Sequence, residues 1–190
     1  MFKDYFGIGW EHILAWGAWD HLLFIMALGV IYTFKEWKQI LVLVTAFTIG
    51  HSITLALAAL NIIRYSSAWI EFLIPVTIVL TGISNAFIKK YSFKTIRINY
   101  YLALGFGLIH GMGFANGLKS LLGKETDITL PLLGFNLGLE AGQIVAVAVL
   151  LLFTMLLVQV LRINRREYVL FMSGGTTLAA LIMAMDRLPF

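Results

Sequence analysis

The sequence predicts an all-α polytopic membrane protein, a six-helix transmembrane bundle forming one domain over residues 1–190. Three observations carry that prediction. Of 190 residues, 60% are hydrophobic and 13% charged, where an average soluble domain has about 45–50% and about 25%. Mean hydropathy is +0.89, and a soluble globule of this size leaves too much surface exposed to hide that apolar area. The apolar residues also fall into six stretches that each approach the roughly 20 residues needed to cross a hydrocarbon core of about 30 Å. A soluble enzyme and a disordered chain are thereby excluded.

The predicted helices are His12–Phe34, Gln39–Asn61, Ser67–Ile88, Asn99–Leu122, Leu130–Leu161 and Tyr168–Met185, with short polar connectors between them. The first runs from His12 through Asp20 and His21 to the basic loop of Lys35 and Lys38. The second carries Thr48, His51 and Ser52 as one polar patch. In the third, Glu71 sits near the start, where the helix dipole favours an acid, and shares a face with Pro75, Gly82 and Asn85. The fourth holds His110 among Gly107, Gly111, Gly113 and Gly117. The fifth is long enough to tilt or to extend beyond the bilayer. It presents Asn136, Glu140 and Gln143 as one stripe and Gly134, Gly138 and Gly142 on another side. The sixth ends at Asp186 and Arg187, which mark the interface. No alternating ten-residue pattern suggests strands.

The formal charge of +4 and pI near 9.4 are read topologically, not as a nucleic-acid footprint. Nine Lys and Arg residues fall on one side: Lys35, Lys38, Lys89, Lys90, Lys94, Arg97, Arg162, Arg165 and Arg166. Five fall on the other: Lys3, Arg64, Lys119, Lys124 and Arg187. The first side is therefore expected to be cytoplasmic, with both termini outside. Trp10, Trp16, Trp19 and Trp69 fit an outer aromatic belt. The start of the chain lacks a basic n-region, so no cleaved signal peptide is expected. Cys is absent, which excludes disulfides and thiolate metal ligands.

All four His residues, His12, His21, His51 and His110, fall in predicted spans or at an edge. A charged residue at a helix centre costs about 2.5–3.5 kcal/mol and pairs or lines a cavity when it is found there. Counted from the outer ends at 1.5 Å per residue, Asp20, His21, His51, His110 and Glu140 lie roughly 12–18 Å deep. Four helices thus place three imidazoles and two carboxylates in one layer. His12, Trp16 and Asp20, spaced i, i+4, i+8, are expected on one face of the first helix. Small residues at four-residue spacing let helices approach closely around such a site. Imidazole with carboxylate suits a divalent transition metal, Ni, Zn or Co among them. The expected ligands are His21, His51 and His110, with Asp20, Glu140 and His12 completing the set. Asn136, Gln143, Ser52, Thr48 and Glu71 are expected to support them from behind.

The stretches Gly9-Trp10-Glu11-His12-Ile13 with Asp20-His21-Leu22-Leu23-Phe24, and Phe47-Thr48-Ile49-Gly50-His51-Ser52-Ile53-Thr54, resemble the HupE/UreJ membrane proteins. Phe106-Gly107-Leu108-Ile109-His110-Gly111-Met112-Gly113-Phe114 and Phe135-Asn136-Leu137-Gly138-Leu139-Glu140-Ala141-Gly142-Gln143 continue the resemblance. Seven residues separate His12 from Asp20, a wider spacing than in the nickel-associated members, which marks a divergent branch. The resemblance implies nickel permeation or metal supply, with metal-related roles for His12, Asp20, His21, His51, His110 and Glu140. The partners then expected are the lipid bilayer, the metal ion, and a second copy of the chain or metalloenzyme-maturation proteins; nucleic acid is not among them.

Two functions compete on the residues alone. In a divalent-metal permease the ion rests in the polar layer and binds weakly enough to leave. In an intramembrane zinc-type hydrolase acting on a lipid or peptide, three His ligands leave an open position for water, and Asp20 or Glu140 is the catalytic base. No His-Glu-x-x-His motif is present. A third reading makes the polar layer interhelical glue only.

Overall fold

The computed structural model describes residues 2–88, 93–122 and 128–190, side chains of 93–96 and 122 excepted. Lys89, Lys90 and Lys124, which entered the charge count, lie outside the described residues. The helices are α1 (Phe2–Leu14), α2 (Trp19–Gly29), α3 (Trp37–Ala59), α4 (Ser67–Phe87), α5 (Phe93–Leu122), α6 (Thr129–Met155) and α7 (Arg165–Asp186). A single 3₁₀ turn, Phe34–Glu36, precedes α3, and α6 ends in a wider π-type turn over Leu156–Val160. Among the described residues there is no strand.

The expected first span is not one helix. It starts earlier, at Phe2, breaks after Leu14 and resumes at Trp19 with a bend of 67°. The i, i+4, i+8 face of His12, Trp16 and Asp20 therefore does not exist. Trp16 lies in the bend, 91% exposed. By length and apolarity α4, α6 with its π-type turn, α7, and α3 with its preceding turn qualify as spans, and the α1–α2 pair makes a fifth if counted as one broken span. By this criterion the described residues hold four or five candidate spans, and the expected count of six is not confirmed. Helix α5 has the length, at 30 residues, but Asn99, His110, Asn116 and five glycines dilute its hydropathy.

Glycine decides which helices touch. Gly134, Gly138 and Gly142 on α6 face Phe2, Phe6, and Trp10 with Ile13 on α1. Contacts that advance four residues on both helices mean the two run parallel, backbone against backbone. Gly50 of α3 faces the backbone of Leu104 and Leu108, while Gly107 and Gly111 of α5 face the carbonyls of Phe47 and His51. Helices α3 and α5 are thus a second parallel pair, held by the same small-residue device. Between the pairs lie fully buried Ile13, Phe24, Phe47, Leu55, Phe135 and Leu139. Helices α4 and α7 pack antiparallel, with Gly82 against Thr177 and Ser173.

The end holding the 3₁₀ turn is tied by two arginines. Arg165 donates to Ile31 O at 2.6 Å and to Glu36 Oε2 at 3.1 Å. Arg166 donates to the carbonyls of Asn85, Ala86 and Ile88. These carbonyls lie at the end of α4, where helical backbone donors run out, although Asn85 O also accepts the Ile88 N–H at 3.3 Å. Arg166→Ala is expected to lower unfolding stability by about 1.5–3 kcal/mol, the range for hydrogen bonds to a charged group. Thermal unfolding in detergent reads this, and Arg166→Lys should recover part of the loss.

Candidate metal centre

The bend after Leu14 folds the end of α1 over the start of α2 and brings His12 against His21, ring centroids 4.5 Å apart. His51 from α3 stands 6.2 Å from His12, and His110 from α5 stands 5.3 Å from His21. Four imidazoles from four helices therefore form one cluster. His51 is 0% exposed and His110 2%. The α3–α5 glycine seam sets these two, because Gly111 sits on the His51 carbonyl.

Phenylalanines frame the rings. Phe114 and Phe135 stack at 4.8 Å and 8° beside His12. Phe47 and Phe135 lie along His51. Beneath His110, Phe24 meets Phe47 at 4.9 Å and Phe106 at 5.5 Å, and all three are buried. These positions were legible: Phe47 precedes His51 by four residues, and Phe106 and Phe114 flank His110 by four, the spacing of one helix face.

Hydrogen bonds fix the tautomers of two rings. His110 Nδ1 lies 2.9 Å from the Phe106 carbonyl, an acceptor only, so Nδ1 carries the proton and Nε2 a bare lone pair. His21 Nδ1 is 2.9 Å from Asp20 Oδ1, a carboxylate–imidazole pair that again leaves Nε2 as the lone pair. Asp20 Oδ1 also accepts the His21 backbone N–H. Asp20 Oδ2 faces Arg187 Nη1 at 3.5 Å.

Five ring nitrogens are buried without a hydrogen bond: His12 Nε2, His21 Nε2, both nitrogens of His51, and His110 Nε2. A buried polar atom left unpaired costs about 1–3 kcal/mol, and native structures keep few. Five in one cluster, at least two of them lone pairs, is the donor chemistry of a borderline transition-metal ion. The donor types suit such an ion, but as they stand no three His, Asp or Glu among the described residues form a ready ligand set.

A cavity of about 240 Å³ leads to the cluster, lined by His12, Asp20, His21, Glu71, His110 and Arg187 among others. Glu71 stands exposed on α4 at this cavity. His51 is not among the lining residues.

The remaining expected residues lie along the α3–α6 contact. Thr48 Oγ1 donates to Gln143 Oε1 at 2.9 Å, and Thr45 Oγ1 to Glu140 Oε1 at 2.8 Å. Thr45 is six residues from His51 on α3, about 9 Å along the axis, so Glu140 is not brought to the imidazoles. Ser52 bonds only its own helix, at Thr48 O. Asn136 gives its amide to Leu132 O, while its Oδ1 is directed at the His51 ring without completing a hydrogen bond. Sequence reasoning treated Arg187 as an interface marker; its one signal was a cation on the same side as Asp20.

A family model described as HupE / UreJ protein matches residues 1–187. No curated protein and no solved structure matches the chain.

Proposed function

The chain belongs to the HupE/UreJ family, and from that premise we propose that it is a membrane permease or supply protein for a divalent transition metal, nickel or cobalt by family. The observation that carries this is the cluster of four imidazoles with unpaired buried nitrogens at the base of a cavity. His12, His21 and His110 receive the ion first, with Asp20 orienting His21, and His51 takes it deeper. Glu71 raises the local cation concentration at the cavity mouth.

Phe24, Phe47 and Phe106 close the far side of the cluster. Beyond them the Thr48–Gln143 and Thr45–Glu140 pairs offer oxygen ligands in sequence. This supports a route along α3 and α6 that opens when the aromatic floor moves. Arg187 near the chain's end lines the cavity, and Lys35, Lys38, Arg162, Arg165 and Arg166 sit toward the opposite end. That distribution supports loading from outside a bacterial inner membrane, with both termini outside.

The hydrolase reading has less support. Asp20 is paired with His21 and faces Arg187, and Glu140 is held by Thr45 away from the imidazoles, so neither carboxylate is poised over water on an ion at the cluster.

Proteoliposomes holding a metal-sensitive dye test the proposal. Ni²⁺ or Co²⁺ added outside is expected to enter at a rate that falls at least about tenfold in a His51→Leu/His110→Leu protein, the loss expected for removing ligands. Entry no faster than into protein-free liposomes would overturn it.

A further inference from the structure

Among the described residues, Arg187 is the one Lys or Arg that lines the cavity. It lies one residue beyond α7, its backbone N–H bonded to Met183 O, and its side chain is 33% exposed. A guanidinium keeps its proton and has no lone pair to offer a metal. Beside a site for a divalent ion it can only repel. Yet Asp20 needs a counter-charge, because a lone carboxylate inside a membrane protein is costly. The contact that supplies it is loose. One Nη1 stands 3.5 Å from Oδ2, longer than the roughly 2.7–2.9 Å of a tight charged hydrogen bond. A bidentate fork would have fixed the arm; a single long contact lets it leave.

We propose that Arg187 is a tethered placeholder cation, which neutralises Asp20 while the imidazoles are empty and is displaced when a divalent ion enters. The inference rests on the metal-site reading above. It assigns Arg187 a specificity role. A monovalent cation that displaces Arg187 replaces one unit charge by another and gains nothing from Asp20. A divalent ion gains the extra charge and the imidazole lone pairs together. The swap also keeps the carboxylate from being left uncompensated at any stage.

The test is Ni²⁺ and Co²⁺ affinity of the full chain in nanodiscs, by competition with a coloured chelator, for wild type, Arg187→Gln, Arg187→Lys and Arg187→Ala. Removing a unit charge this close to the ion is expected to tighten binding by about tenfold or more in Arg187→Gln. Arg187→Lys, which keeps the charge, should stay near wild type. Millimolar guanidinium should weaken metal binding to Arg187→Ala and leave wild type unaffected. A merely structural arginine would give none of these signs: affinity would hold or fall in Arg187→Gln, Lys would not rescue, and guanidinium would do nothing. Equal or weaker affinity in Arg187→Gln, with wild type still binding through its histidines, overturns the placeholder alone. No histidine-dependent binding by wild type overturns the metal-site reading and the placeholder with it.

Discussion

A His51→Leu protein is expected to hold metal at least about tenfold more weakly than wild type, and yet, free of metal, to resist unfolding better. The two halves of that result have one cause. His51 is fully buried between Phe47 and Phe135 with both ring nitrogens unpaired. Each unpaired buried polar atom costs about 1–3 kcal/mol, whereas leucine fills a similar volume with no polar atom. The metal-free gain should therefore be about 1–3 kcal/mol, read as a higher denaturation midpoint in detergent. Interhelical glue predicts the opposite sign, a loss of about 0.6–2 kcal/mol. The measurement separates a residue kept for binding from one kept for stability.

The second large effect is expected at Gly107. A Cβ there would strike the Phe47 carbonyl and Cα, all backbone, so the α3–α5 seam would have to part. Gly107→Ala should cost about 3 kcal/mol and lower metal affinity as well, because the seam sets His51 beside His110. Gly105→Ala, two residues away on α5, is the control. Nothing lies within 4 Å of a Cβ at that position, and replacing an open helical glycine should gain roughly 0.5–1 kcal/mol. Equal losses in the two variants would show that helix propensity, not close approach, governs this pair.

Much of this was legible in the sequence, for identifiable reasons. Composition gave the helical membrane class, and the four-residue glycine spacing on α5 and α6 foretold their close neighbours. The depth of His21, His51 and His110 foretold their meeting, since helix rise is constant. What failed was continuity. A run of apolar residues from His12 to Phe34 reads as one helix, but hydropathy does not register a bend at Ala15–Ala18. That bend moved His12 from an edge position into the cluster and sent Trp16 outward. Glu140 was placed in the layer by counting residues from one helix end, whereas the α3–α6 contact sets it beside Thr45. Arg187 was not legible as a site residue because it reaches Asp20 from the far end of the chain, through an approach that no local pattern encodes.

The central claim is that the unpaired imidazole nitrogens bind metal, and X-ray absorption at the metal edge tests it most directly. Protein purified in detergent, loaded with one equivalent of Ni²⁺ or Zn²⁺ and washed, should show at least three imidazole nitrogen ligands at about 2.0–2.1 Å for Zn²⁺. The same signal should vanish, with the bound metal, in the His51→Leu/His110→Leu protein. Metal retained equally by that variant, or a first shell of oxygen alone in wild type, would contradict the account.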